Sequence, residues 1–246
     1  MLHLHKNTSN AIALGELGRS KIQHHVNQRM LNYWARLVNG SSDKLSFSVY
    51  LVVKRLYDVG TYKSRWLDKI HSELDNLGLS EFWHKDQFDQ NWFKRKISLT
   101  SQDQQRQNWL EAVANSSHCR TYRLLKTELK LEPYLYEMDK RYSVPLCRFR
   151  AGNHKLPITL GRYNNIERHA RLCQLCPSQE IGDEIHYLPN CPLFTVERTA
   201  LIKPYYLRGE REERISELFN TTNRKQLQNL SKFVQCVMLK LASIPL

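Results

Sequence analysis

Cys173, Cys176, His186 and Cys191 narrow the fold of this chain more sharply than anything else in it, through the spacing C-x2-C-x9-H-x4-C. Two cysteines separated by two residues sit on one tight knuckle and bind the same ion, and a second pair returning from a short loop completes a tetrahedron of three thiolates and one imidazole. The ion such a donor set selects is Zn2+. With all four vertices taken by protein, no position remains for an activated water, so the pattern points to a structural metal rather than a hydrolytic one. A zinc deaminase is excluded by order, because its H-x-E element precedes its CxxC, whereas His186 follows Cys173 and Cys176 and is itself followed by Tyr187-Leu188. His169 is a substitute ligand by type. Asp183-Glu184 is the adjacent acid pair near the cluster, and acids just before His186 fit a helix N-terminus better than a catalytic pair. Its lesser alternative is a carboxylate that orients His186 from behind.

The remaining cysteines, Cys119, Cys147 and Cys236, are scattered and stand in no nucleophile context, so they are expected as small packed hydrophobes in a reducing compartment, nucleus or cytoplasm. No apolar run approaches the roughly 18 residues of a membrane span, and no leader-like stretch follows the N-terminus.

Charge is concentrated beside the cysteine cluster. The chain has 246 residues with a formal net charge of +13, and the 33 residues 140–172 hold eight basic side chains against one acid. A one-sided run of this kind binds phosphate by releasing counterions, or else is simply a solvated face. The first reading assigns phosphate contacts to Lys140, Arg141, Arg148, Arg150, Lys155, Arg162, Arg168 and Arg171, and base stacking to Tyr142, Phe149 and Tyr163. The expected partner is RNA or DNA, and no membrane.

The rest reads as mainly α, a helical domain with a small CCHC zinc knuckle. Ile22, Val26, Met30, Tyr33 and Leu37 step along one helix face up to Asn39-Gly40, and Ser41-Ser42-Asp43 is expected to cap a second helix over 44–59, closed by Gly60. A third runs over 64–77 to Gly78. Trp83, Phe88, Trp92, Phe93 and Ile97 suit a short amphipathic helix with a core-facing aromatic stripe, and 100–114 a separate one with Trp109, Leu110 and Val113 inward. Further helices are expected over 132–139 and 143–150, then a loop punctuated by Gly152, Pro157 and Gly161, then helices over 192–201, 211–219 and 224–241. Three regions follow: 1–118, an N-terminal helical region; 119–206, the basic segment and knuckle; and 207–246, C-terminal helices, with a soft boundary between Ser116 and Pro133.

The stretch Cys147-Arg148-Phe149-Arg150-Ala151-Gly152-Asn153-His154-Lys155-Leu156-Pro157-Ile158, with Gly161-Arg162 and Asn165-Ile166, resembles the region before the C-terminal zinc knuckle of non-LTR (LINE-type) retrotransposon reverse transcriptases. Arg171 to Cys176, Ile181 to Leu188, Cys191-Pro192 and Arg198 continue it, and Gly15-Glu16-Leu17-Gly18-Arg19 is similar to the segment after the polymerase in such polyproteins. The resemblance implies contact with element RNA or target DNA, with the polymerase portion of the same polyprotein as a partner. It departs from the family in lacking the adjacent aspartates that hold polymerase magnesium. A tail without its own active site is therefore expected, whether fragment, decayed copy or domesticated remnant. The alternative is a zinc-stapled structural or protein-interaction module from a domesticated retroelement fragment.

Overall fold

The computed structural model describes residues 2–243. In chain order its helices are α1 (Asn10–Glu16), α2 (Ile22–Val38), α3 (Leu45–Asp58), α4 (Arg65–Asn76) and α5 (Gln90–Asn115). Short turns follow as α6 (Tyr122–Leu125) and α7 (Tyr134–Glu137), then α8 (Lys140–Arg150), α9 (Pro157–Tyr163) and α10 (Glu184–Tyr187). The series ends with α11 (Thr195–Leu201), α12 (Arg211–Asn220) and α13 (Arg224–Ala242). Among the described residues the β-structure is limited to two isolated bridges, Leu17 with Leu131 and Leu172 with Ile181. The fold is mainly α. No helix among them is long and apolar enough to cross a membrane.

Two compact units form, residues 20–108 and residues 1–19 with 109–246, a different division from the three consecutive regions expected. The first nineteen residues join the later unit because their polar atoms are consumed there. The Glu132 N–H donates to the Glu16 carbonyl at 3.0 Å, and Trp109 Nε1 donates to the Ala11 carbonyl at 2.8 Å. Gly18 is forced at the crossing: its φ is +57°, and a Cβ there would lie 2.1 Å from the Leu131 nitrogen.

In the unit of residues 20–108, α2 forms where expected but turns a different face inward. Leu31, Trp34, Ala35 and Val38 are buried, whereas Ile22, Val26 and Tyr33 are exposed. Trp34 decides the rotation. Its indole stacks 6.2 Å from Trp83, lies 5.8 Å from both Phe88 and Phe93, and donates to the Tyr50 hydroxyl at 2.9 Å, so burying it outweighs burying a thinner aliphatic stripe. Lys44 rather than Ser41-Ser42-Asp43 occupies the cap position of α3, and its side chain makes no capping bond. Ser64, expected as the first residue of the third helix, is the cap of α4 and accepts from the Leu67 N–H, while Gly78 at φ +65° ends the segment as expected. The aromatic stripe divides: Phe82 and Trp83 lie in a separate tight turn, Ser80–His84, and Phe93 is buried, but Trp92 stays half exposed against Phe82. The two helices expected between 83 and 114 are the single α5 from residue 90 onward, with Leu110 partly exposed rather than inward.

In the other unit, α8 packs on α13 around Leu146, Phe149, Phe233, Val234 and Val237. Lys140 and Arg141 are the first turn of α8, not a spacer before it. Pro145 within α8 lacks the N–H that would bond the Arg141 carbonyl, and α13 supplies a substitute, Gln235 Nε2 donating to Arg141 O at 3.3 Å; beside it Ser231 Oγ donates to Tyr142 O at 2.9 Å. The stretch around Pro157 and Gly161, expected as a loop, is helix α9 with Pro157 in its first turn. Cys119 and Cys147 are buried as packed residues, while Cys236 is only half buried.

Candidate metal centre and its basic surroundings

The knuckle is built by a very short antiparallel pairing. Cys173 N–H donates to the Glu180 carbonyl and Gly182 N–H to the Arg171 carbonyl, both at 2.8 Å, which closes residues 173–180 into a loop. Inside it the Leu175 N–H points at Cys173 Sγ at 3.4 Å. At Gly182 a Cβ would stand 2.8 Å from Pro157 Cγ, so the return strand can pass α9 only without a side chain. The return then enters α10, where Asp183 caps the helix by accepting from the His186 N–H at 3.1 Å. The acid pair is thus a helix start. Glu184 turns inward to His154 Nε2 and Thr121 Oγ1, each at 2.8 Å.

These elements bring the donor atoms of Cys173, Cys176, His186 and Cys191 within 4.8 Å of one another. Cys173 and Cys176 Sγ are 3.6 Å apart and His186 Nε2 is 3.4 Å from Cys176 Sγ. A zinc tetrahedron has sulfur–sulfur edges of about 3.8 Å, so the first pair already stands at that edge length. Exposed His169 is not part of the cluster.

The surrounding shell fits a metal as well. His186 Nδ1 meets Glu180 Oε2 at 2.8 Å, which leaves Nε2 facing the sulfurs. Arg211 from α12 grips the same carboxylate at 2.8 and 3.0 Å and, with His186, holds Glu180 below the usual carboxylate range. The orienting carboxylate is therefore Glu180, not the Asp183-Glu184 pair. Burial works against charge at the cluster, yet the contacts of Cys173 with His186, Tyr187 and the Leu175 N–H bring its thiol down to about 6. Burial likewise opposes a charged His186, but Cys173 and Glu180 raise it to about 9; Cys191 is pushed up to about 12, chiefly by burial. A divalent cation held by these four donors would displace the protons they carry. Cys191 is fixed from the far side, its N–H donating to His186 O at 2.7 Å while buried Arg198 donates to Leu188 O and Cys191 O at 2.6 Å.

The basic stretch separates into two sets. Arg150 is only 2% exposed, ion-paired to Glu16 at 3.1 Å and Glu132 at 3.4 Å, and Phe149 is equally buried with its ring 6.1 Å from Phe219. Neither can meet a nucleic acid, a correction to the contacts expected from the sequence: a basic run says nothing of which cation has a buried carboxylate waiting. Arg168 pairs with Asp183 at 3.0 Å, Arg171 donates to the Ile158 and Ile166 carbonyls, and Arg162 donates to His118 Nδ1 at 2.8 Å. Arg168 and Arg171 thereby tie α9 and the loop after it to the knuckle. Lys140, Arg141, Arg148 and Lys155 are exposed, as is Tyr163, while Tyr142 is half covered by Arg141, whose guanidinium lies 4.7 Å from its ring. No family model, no curated protein and no solved structure matches this chain.

Proposed function

We propose that the chain is a zinc-closed nucleic-acid-binding segment from the C-terminal end of a non-LTR retrotransposon reverse transcriptase polyprotein, contacting element RNA or target DNA without an active site of its own. The observation that carries this reading is the coupling of the knuckle to the basic stretch. The Asp183 that caps α10 into the metal cluster also holds Arg168, and Arg171 leads straight into Cys173. Zinc thus fixes the shape of a surface whose exposed cations, Lys140, Arg141, Arg148 and Lys155, can meet phosphates, Arg141 by giving up a loose pairing with exposed Asp139 at 3.6 Å. Nucleus or cytoplasm is the compartment this implies.

Replacing those four by Gln in the full chain removes about four counterion-releasing contacts while leaving the metal ligands and the buried Arg150 alone. The slope of log affinity against log salt should shrink by about 3 to 4 units for RNA or DNA, with zinc content unchanged. An unaltered slope, or wild-type protein with no salt-dependent affinity, would favour the protein-interaction module instead. That second reading has its own support: Leu45, Val49, Val52, Leu56 and Val59, spaced by four and three, form an exposed apolar stripe along α3 and just beyond it.

A further inference from the structure

Between the C-terminal halves of α8 and α13 lies a cavity of about 360 Å³, large enough for a small ligand. Pro145 and Met238 line it with partly exposed apolar surface above the buried Phe149 and Val234, Leu239 adds an exposed edge, and two cations, Arg148 and Lys155, border it. No carboxylate is among the lining residues. Arg148 spends only its Nε, on the His3 carbonyl at 2.9 Å, and Lys155 has no ion-pair partner among the described residues. His154, which also lines the cavity, is fully used by Glu184 and Thr159. Two amides remain. The Asn153 side chain makes no hydrogen bond among the described residues, and Gln235 uses its Nε2 but not its Oε1.

We propose that this cavity receives one unpaired nucleotide of a single-stranded nucleic acid, an inference that rests on the nucleic-acid reading above and names the strand form it takes. The surface of Pro145, Met238 and Leu239 takes the face of a base, the Asn153 amide offers both a donor and an acceptor to its edge, and Arg148 and Lys155 take the adjoining phosphate. A carboxylate-bearing peptide would use the two cations and could pair its backbone with Asn153, but without a flat ring it leaves the apolar surface uncovered. A duplex, its bases stacked and paired, has nothing to insert.

The test uses the full zinc-loaded chain, a short single-stranded RNA, the same RNA annealed to its complement, a nucleoside monophosphate and ribose phosphate. Met238→Trp fills the cavity, and Leu239→Glu places a negative charge on its exposed edge. Each should weaken single-strand binding about tenfold while duplex binding changes little, and the nucleoside monophosphate should compete better than ribose phosphate. Should Met238→Trp prove misfolded by its melting curve, the exposed Leu239→Glu carries the comparison. Wild type that binds RNA with a salt-dependent slope, alongside folded variants that bind the single strand equally well, overturns the pocket and leaves the larger reading standing. Wild type that binds no nucleic acid overturns both, and an acidic peptide competing where the nucleotide does not overturns the pocket's assignment.

Discussion

Cys191→Ser is expected to lose the metal and to lower the stability of the unit that holds it by more than about 4 kcal/mol, the size of effect that follows when a structural zinc is coupled to folding. Cys191 is fully buried in the same core as Tyr187, Leu188 and Phe194, and the chain on either side of it is held by His186 O and Arg198. Removing one thiolate leaves a buried imidazole and two sulfurs facing each other without the ion, inside a segment whose own β-pairing is a single bridge. Cys236→Ser, on a half-buried residue of α13 outside the metal cluster, is the control and should keep its zinc and lose little stability. Zinc content and melting curves measured together check the pair. Equal stability for Cys191→Ser and wild type would remove the metal from the folding argument.

Arg150→Met is expected to cost about 3 to 5 kcal/mol, because it strands a carboxylate rather than because it deletes an attraction. Glu16 has no exposed surface, and its partners are Arg150 and the Tyr134 hydroxyl; Glu132 is shared between Arg150 and Lys126. Adding Glu16→Gln to Arg150→Met neutralises that stranded charge and should recover part of the loss. The neighbouring Arg148→Gln should change stability by less than about 0.5 kcal/mol, since its side chain is exposed and gives up only one exposed hydrogen bond, to the His3 carbonyl. Denaturant unfolding of the three variants gives the comparison. An Arg150→Met protein as stable as Arg148→Gln would show that the buried network does not hold residues 1–19 in place.

The contrast between Arg148 and Arg150 also marks what the sequence could reveal. Spacing was sufficient to gather Cys173, Cys176, His186 and Cys191 into one candidate metal cluster, because C-x2-C-x9-H-x4-C encodes a local loop whose ends meet. It was sufficient for the end of α4, where Gly78 adopts the positive φ that closes the segment. It was insufficient wherever the deciding partner was distant in sequence. Glu16 lies 134 residues from Arg150, and only their contact turns one of eight similar cations into a core residue. Trp34 rotated α2 away from its aliphatic stripe through Trp83, Phe88 and Phe93, all beyond a helical window. Glu180 was missed for a smaller reason: nothing in a loop acid six residues before His186 distinguishes it until Arg211, from α12, is seen to hold it. Pro157 and Gly161 read as loop punctuation, yet one starts α9 and the other gives Arg171 room, a Cβ there lying 2.6 Å from its Cγ.

X-ray absorption at the zinc edge of the loaded full chain tests the centre directly. Cys173, Cys176, His186 and Cys191 as a closed set predict three sulfurs at about 2.3 Å and one nitrogen at about 2.0 Å, with no oxygen from water. Two or fewer sulfurs, or an oxygen completing the shell, would contradict the closed structural site on which the proposed nucleic-acid surface depends.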